Sequence, residues 1–167
     1  IGASATQVRR GIQQPGRQAV EERMSQQPIP PVAFLRNCRA NRSTLQVADS
    51  MGEKLTGNQL LLRTLILRRL LLREVLTDQD QYVGILIPPS TGGVIVNAVM
   101  PLCGRIGVNL NYTLSKAEME HCITTCGIRR VLTTRRVMDK LKVETDAELI
   151  YLDDLRGKLT TSDKVAG

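Results

Sequence analysis

The sequence is poor in aromatic residues, with no Trp, one Phe and three Tyr. No aromatic residue interleaves with the arginines, and no known nucleic-acid-binding motif is present. Proteins that bind nucleic acid strands commonly stack bases on aromatic side chains that lie among Lys and Arg. Nucleic acid is therefore the least expected of the anionic partners that a basic chain attracts.

The sequence also lacks a long apolar run. The helix candidate at residues 57–76 is rich in Leu, but four arginines interrupt it. A membrane-spanning helix needs about 18 successive apolar residues, so none is predicted. The N-terminus is polar and has no apolar segment of a secretory signal, so we expect a cytoplasmic location. Because the chain begins at Ile1 rather than Met, we also expect it to be part of a longer protein.

Motifs for phosphate binding and catalysis are missing. The segment PPSTGG (88–93) follows a predicted strand and precedes a predicted helix, which is where phosphate loops lie. It has no Lys and matches neither G-x-x-x-x-G-K-[ST] nor G-x-G-x-x-G. Gly92 and Gly93 are better explained by a tight turn and close packing at the start of the helix. We therefore predict that this segment binds no phosphate.

No acid–base set can be assembled either. The sequence has a single His, His121, which is predicted to be exposed on a helix, so no Ser–His–Asp triad is expected. The acidic pair Asp153–Asp154 fits the N-terminus of a helix better than a role as general acid. The sequence therefore predicts no catalytic and no cofactor-binding residue in this chain.

The four cysteines are expected to be free thiols, because disulfides are rare in the cytoplasm. The cluster of His121, Cys122 and Cys126 suggests a metal site, but helix geometry argues against one. At about 100° per residue, His121 points to nearly the opposite face from the two cysteines. Met119 and Ile123 share the cysteines' stripe, so the thiols are interpreted as small apolar side chains. No metal ligand is predicted.

The net charge of +7 is unevenly distributed. Residues 1–76 contain 12 Lys or Arg and 5 Asp or Glu, whereas residues 77–167 contain 11 of each. A basic half attracts acidic proteins or acidic lipid surfaces. The simpler explanation is a solvated basic face. If this half does steer partners, Arg36, Arg39 and Arg42 are the best candidates, since all three are expected to face solvent.

The order of elements predicts an α/β fold with a partial, doubly wound and mostly parallel sheet. Short apolar strands alternate with helices from residue 82 onward, which favours parallel pairing and right-handed crossovers. The predicted strands are 83–87, 106–110, 130–133 and 149–152, and the predicted helices are 92–103, 115–126 and 135–141. Before them come a helix with Phe34, Leu35 and Cys38 buried, two short extended segments around a turn at Asp49, and a Leu-rich helix capped by Thr56.

Prolines mark a boundary in the N-terminal part of the chain. Residues 1–24 are polar and helical in character, and SQQPIPP (25–31) has the composition of a linker. Pro31 can occupy the first turn of the next helix. We interpret residues 1–24 as the tail of a preceding domain, 25–31 as a linker and 32–167 as the main unit.

Three segments of this unit resemble the adenylate-forming (AMP-dependent) synthetase and ligase family. The turn and capped helix at DSMGEKLTGNQLL (49–61), the strand at VGILIPPS (83–90) with the helix that follows it, and RRVLTTRR (129–136) resemble the opening of its N-terminal subdomain. The segment NLNYTLS (109–115) most resembles bacterial bifunctional 2-acylglycerophosphoethanolamine acyltransferase/acyl-[acyl carrier protein] synthetases. The resemblance covers residues 30–165, and residues 1–24 would then be the tail of an acyltransferase-like domain.

The resemblance implies an ATP- and Mg-dependent parent enzyme that activates a fatty acid as acyl-adenylate. The acyl group would pass to a carrier thiol, of acyl carrier protein or coenzyme A, and the parent could also acylate lysophospholipids at the inner membrane. The family's phosphate loop and catalytic Lys would follow residue 167, and the acyltransferase His-x4-Asp would precede residue 1. We therefore expect this chain to be an inactive scaffold with no bound cofactor. The alternative is a non-catalytic α/β binding module whose basic face meets an anionic partner.

Overall fold

The structure, a computed structural model, describes residues 29–141 and 145–160. The helices of these residues are α1 (Pro30–Ala40), α2 (Gly57–Glu74), α3 (Thr91–Leu102), α4 (Lys116–Cys126), α5 (Arg135–Leu141) and α6 (Leu152–Gly157). Their strands are β1 (Leu45–Ala48), β2 (Lys54–Thr56), β3 (Tyr82–Ile85), β4 (Ile106–Asn109), β5 (Arg130–Thr133) and β6 (Glu148–Tyr151). Residues 1–24 and most of the predicted linker lie outside the described residues. The domain division therefore stays a prediction.

The main sheet has four parallel strands in the order β4-β3-β5-β6. Gly84 of β3 lies opposite Val108 of β4 on one side and Val131 of β5 on the other. The chain therefore steps from β3 to one side and then returns across β3 to the other. This reversal brings helices onto both faces of the sheet, as the α/β prediction requires.

Each face of the sheet has its own apolar core. Val83 and Ile85 lie with Leu132 on the face that α2, α3 and α6 cover. Val131 and residues of α4 and α5, including Met119, form the core of the opposite face. Alternation along a strand sends successive side chains to opposite faces, so the continuous apolar strands of the sequence supply both cores at once.

The chain before the sheet forms a third cluster. Strands β1 and β2 pair antiparallel as a hairpin, and Leu55 of β2 packs with Cys38 of α1, Leu60 of α2 and Ile95 of α3. Helix α2 contacts α1, β1, β2 and α3. Its Leu side chains therefore pack between layers, which confirms the interpretation of its many-sided apolar pattern.

The helix ends follow local signals in the sequence. Thr56 caps α2 in a capping box with Gln59, and Ser115 caps α4 in a capping box with Glu118. Gly127 ends α4 with φ of 63°, the left-handed conformation that glycine adopts without strain. The predictions of both N-caps and of this C-terminal glycine are confirmed.

Three local predictions need correction. Phe34 and Leu35 of α1 were expected to be buried, but both are half-buried and Cys38 is the buried residue of the helix. Helix α3 was expected to be buried because it is apolar nearly all round, yet Gly92, Val94 and Asn97 are exposed. It packs on the sheet with only one side, which carries Val96 and Val99. Strand β3 ends at Ile85 rather than residue 87, because Ile87 already belongs to the loop that leads to Pro88 and Pro89.

No helix among the described residues is long and apolar enough to cross a membrane. The Leu-rich helix α2 shows why, since Arg63, Arg68, Arg69 and Arg73 lie along it.

Candidate functional site

A cleft of about 400 Å³ lies at the carboxyl edge of the parallel sheet. Ligands of open α/β sheets bind outside the carboxyl ends of the strands, where the strand order reverses. The order β4-β3-β5-β6 places this reversal between β3 and β5, and residues that follow both strands line the cleft. The lining comprises Met51, Ile87, Pro88, Ser90, Gly92, Tyr112, Thr134, Arg136, Val137, Lys140, Leu141 and Leu152.

One wall of the cleft is the loop from Pro88 to Gly93, at the start of α3. Ser90 caps the helix, since its Oγ accepts a hydrogen bond of 3.1 Å from the N–H of Gly93. A Cβ on Gly93 would lie 3.1 Å from the carbonyl oxygen of Pro88, which is tighter than ordinary contact. At Gly92 a Cβ would meet only Ser90 Oγ, at 3.8 Å. The interpretation of close packing therefore applies to Gly93 and is not needed for Gly92.

A carboxylate of the protein occupies the first turn of α3. Asp49, from the hairpin turn, accepts hydrogen bonds of 3.1 Å from both the N–H and the hydroxyl of Thr91. Its other oxygen accepts from the N–H groups of Met51 and Glu53. These contacts, led by that with the Thr91 backbone, hold the pKa of Asp49 below its ordinary value. Asp49 thus ties the tip of the hairpin to the start of α3.

A second carboxylate shares the same hydroxyl. Glu53 Oε2 lies 2.5 Å from Thr91 Oγ1, and Glu53 Oε1 lies 2.5 Å from Arg63 Nη1 of α2. The Thr91 hydroxyl and then Arg63 lower the pKa of Glu53. Thr91 is 1% exposed; its N–H donates to Asp49, and its single hydroxyl hydrogen lies within reach of both acids.

This arrangement does not fit a phosphate or a metal ion. The N–H groups of Thr91 and Gly93 already donate to Asp49 and Ser90, and the loop contains no Lys. Within residues 29–141 and 145–160, no group of three or more His, Cys, Asp or Glu side chains could hold a metal ion. ATP and Mg, which the resemblance implies for a parent enzyme, thus have no site at this loop.

The opposite wall of the cleft carries cations. Arg135 is neutralised, because its guanidinium lies 2.9 Å from both carboxylate oxygens of Asp154 and stacks on the ring of Tyr151. The hydrogen bond with Asp154 raises the pKa of Arg135. Arg136 Nη1 donates to the sulfur of Met51, at 3.8 Å. Among the described residues, neither Arg136 nor Lys140 forms an ion pair.

The acidic pair Asp153–Asp154 has a structural role. Both residues lie in the first turn of α6, and Asp153 accepts a hydrogen bond of 2.8 Å from the N–H of Arg135. They therefore join the start of α6 to the start of α5, in agreement with the preference for a helix N-terminus.

The cysteines and His121 are placed largely as the helical pattern predicts. His121 is exposed, Met119 and Ile123 are buried, and Cys122 and Cys126 are half-buried beside them. Cys38 and Cys103 are buried, and burial raises the pKa of both thiols. All four cysteines are free. That the protein binds no zinc stays a prediction, which elemental analysis tests directly.

Sequence reasoning missed the functional features of this edge. Asp49 was interpreted only as part of a turn, and Arg136 and Lys140 were not singled out. Their spacing of four residues, on one side of a short helix after a strand, is the signal that could have found the cations. The link between Asp49 and Thr91 spans 42 positions in the sequence and leaves no local pattern.

Several solved structures have a fold similar to that of this chain. No protein-family model matches the sequence. Among solved structures, VinN aligns over 80% of this chain and 36% of its own, with a TM-score of 0.66 and 18% identity. Klebsiella oxytoca NpsA, solved in complex with 3-hydroxyanthranilyl-AMSN, aligns over 83% of this chain and 28% of its own, with a TM-score of 0.70 and 18% identity.

A third similar structure is the O-succinylbenzoate coenzyme A synthetase MenE of Bacillus subtilis, in complex with AMP. It aligns over 80% of this chain and 34% of its own, with a TM-score of 0.64 and 17% identity. The chain therefore spans about a third of the length of these structures. The described residues share the α/β fold of these structures and of the N-terminal subdomain of Klebsiella oxytoca NpsA, which aligns over 79% of this chain and 32% of its own, with a TM-score of 0.66 and 16% identity.

Proposed function

We propose that this chain is the first part of the N-terminal subdomain of an ATP-dependent acid-activating enzyme, in which it acts as a scaffold. The observation that carries the proposal is the combination of a hairpin, a long capped helix and a parallel sheet of order β4-β3-β5-β6. The alignment of about 80% of the chain with structures that include NpsA and MenE supports it.

The finer proposal concerns the reaction of the parent enzyme. Its substrate is a fatty acid, its intermediate is the acyl-adenylate, and its acceptor is the thiol of acyl carrier protein or coenzyme A. A preceding acyltransferase domain would extend this to lysophospholipids. The sequence resemblance at residues 49–61 and 109–115 supports this choice of substrate. In this proposal the described residues act as a scaffold, and Asp49 already accepts a hydrogen bond from the N–H of Thr91 in the loop at 88–93.

Exchange of pyrophosphate into ATP tests the proposal. The protein encoded by the full gene is compared with the 167-residue chain, each with and without a series of fatty acids. We expect fatty-acid-dependent exchange by the full protein and none by the chain alone. A full protein without acid-dependent exchange would contradict the enzymatic proposal, and exchange by the chain alone would contradict its role as a scaffold.

A second candidate function is binding of an anionic macromolecule by the basic face of α1 and its end. Arg36, Arg39 and Arg42 are all exposed, and none forms an ion pair within the described part of the chain. Such charges accelerate encounter more than they tighten a complex, and salt screens them beyond about 8 Å at physiological ionic strength.

Charge reversal tests this second candidate. The three arginines are changed to Glu in the full protein, and binding to anionic vesicles and to acyl carrier protein is measured at low and high salt. We expect weaker binding at low salt and little difference at high salt. Unchanged binding to both partners at low salt would leave these arginines as a solvated face.

A further inference from the structure

The cleft at the carboxyl edge combines an apolar lining with two cations that form no ion pair within residues 29–141 and 145–160. Ile87, Val137, Leu141 and Leu152 provide apolar surface, and Arg136 and Lys140 lie beside it. Binding pockets for small molecules are typically apolar with a few placed polar groups, and measure about 300–1,000 Å³. The cleft, at about 400 Å³, falls within this range.

The cations are not explained by the stability of the fold. Arg136 and Lys140 are four residues apart on α5, so they neighbour each other along the helix. Like charges at this spacing are unfavourable. The adjacent Arg135 shows that the protein can neutralise a cation here, since Asp154 pairs with it. Asp139, the acidic residue of α5, is exposed and does not line the cleft.

We propose that this cleft binds a small amphipathic anion, whose charged group lies against Arg136 and Lys140 and whose apolar body lies against Ile87, Val137 and Leu152. The two cations favour a ligand with a negative charge, and the apolar lining favours a ligand that also has an apolar body. The inference goes beyond the scaffold role, and it does not depend on the chemistry of the parent enzyme.

Two fluorescent probes that differ by one charge test the proposal on the 167-residue chain. 8-Anilino-1-naphthalenesulfonate carries a sulfonate, whereas N-phenyl-1-naphthylamine has a similar apolar body and no charge. We expect the sulfonate to bind more tightly at low salt. Arg136→Glu and Lys140→Glu should each weaken its binding roughly three- to tenfold and leave the neutral probe nearly unchanged. Arg136→Lys, which keeps the charge, should retain most of the affinity.

Arg129→Glu is the matched control, because Arg129 is an exposed cation beside the opposite end of β5. It should not alter binding of either probe. A steric variant, Gly92→Leu, places a side chain at the cleft, where a Cβ makes only an ordinary contact of 3.8 Å with Ser90 Oγ, and should weaken both probes. Circular dichroism confirms that each variant is folded.

Competition experiments distinguish a carboxylate from a phosphate as the charged group of the natural ligand. Decanoate and decyl phosphate are titrated against the bound sulfonate probe, with decanol as the uncharged control. We expect at least one of the two anions to displace the probe at a lower concentration than decanol, and the better competitor identifies a carboxylate or a phosphate ligand. Equal weakening by Arg129→Glu and Arg136→Glu, or equal displacement by decanol and both anions, would overturn the proposal.

Discussion

The two edges of the parallel sheet differ in whether their charged side chains form ion pairs. At the amino edge, Asp80 precedes β3, and its carboxylate forms an ion pair with Arg130 at the start of β5. Arg130 also pairs with Glu148, at the start of β6, at 2.9 Å. At the carboxyl edge, Arg136 and Lys140 line a cleft without acidic partners among the described residues.

This difference suits the amino edge to stabilising the fold and the carboxyl edge to binding a ligand. Asp80 is 1% exposed and accepts hydrogen bonds of 2.7 and 2.8 Å from the N–H and hydroxyl of Thr77. Burial alone would raise its pKa, but the contacts with Thr77 and the charge of Arg130 outweigh it, so the pKa is lowered. A neutralised network of this kind holds strands together, whereas unneutralised cations beside apolar surface leave an anion to be supplied from outside.

The largest expected effect on stability comes from removing the Asp80 carboxylate at the amino edge. Asp80→Ala leaves Arg130 with only its exposed partner Glu148 and removes the carboxylate oxygen that accepts from both the N–H and the hydroxyl of Thr77. We expect a loss of about 2–4 kcal/mol in the free energy of unfolding, measured by urea denaturation. Asp78→Ala is the control, because Asp78 is fully exposed and lies 3.6 Å from Arg105. A similar loss in both variants would show that the Asp80 network is not the source.

The same network predicts a dependence of stability on pH. Because the pKa of Asp80 is lower in the folded than in the unfolded state, the unfolded state binds more protons as the pH falls. The contribution of Asp80 is complete above the unfolded pKa of about 3.9. It is lost as the pH drops through the lowered folded value. Urea midpoints of the Asp80→Asn variant should therefore fall less steeply in this acid range than those of the wild type, and parallel curves would contradict the assignment.

A smaller effect is expected where the hairpin joins the cleft. Thr91→Val keeps the shape of the buried side chain but removes the hydroxyl that lies between Asp49 and Glu53. We expect a loss of about 1–3 kcal/mol, because the carboxylates keep only part of their hydrogen bonds. Thr91→Ser retains the hydroxyl and should recover most of the difference. A Thr91→Ser variant as unstable as Thr91→Val would instead assign the effect to packing of the methyl group.

The smallest effect is expected for the cations of the cleft. Arg136→Gln removes one member of a like-charged pair at a four-residue spacing, so the free energy of unfolding should stay level or rise by about 0.2–0.5 kcal/mol. Arg130→Gln, at the amino edge, should lower it clearly. If Arg136→Gln destabilises the protein as much as Arg130→Gln, the cleft cations are part of the structural framework.

Features that depend on neighbouring residues could be predicted from the sequence. The caps at Thr56 and Ser115, the glycine at position 127 and the alternation of strands with helices all follow local rules. Strands β4 and β5 were predicted within one residue of their bounds. The fold class followed from these elements together with the resemblance.

Features that depend on distant pairs could not be predicted. Whether an arginine after β5 is neutralised depends on a distant acid. Arg135 meets Asp154, 19 positions away, whereas Arg136 meets no acid among the described residues. The order of the strands, and hence the position of the cleft, depends on which neighbours pair with β3. A single sequence carries no pattern for such contacts, because they arise only when the chain is folded.

The most direct test measures stability and probe binding on the same two variants, Asp80→Asn and the double variant Arg136→Glu/Lys140→Glu. We predict that Asp80→Asn lowers the urea midpoint while the folded protein binds 8-anilino-1-naphthalenesulfonate as the wild type does. The double variant should keep its midpoint and lose most of its affinity for the probe. If both variants change both quantities in parallel, the two edges do not have separate roles and the account is wrong.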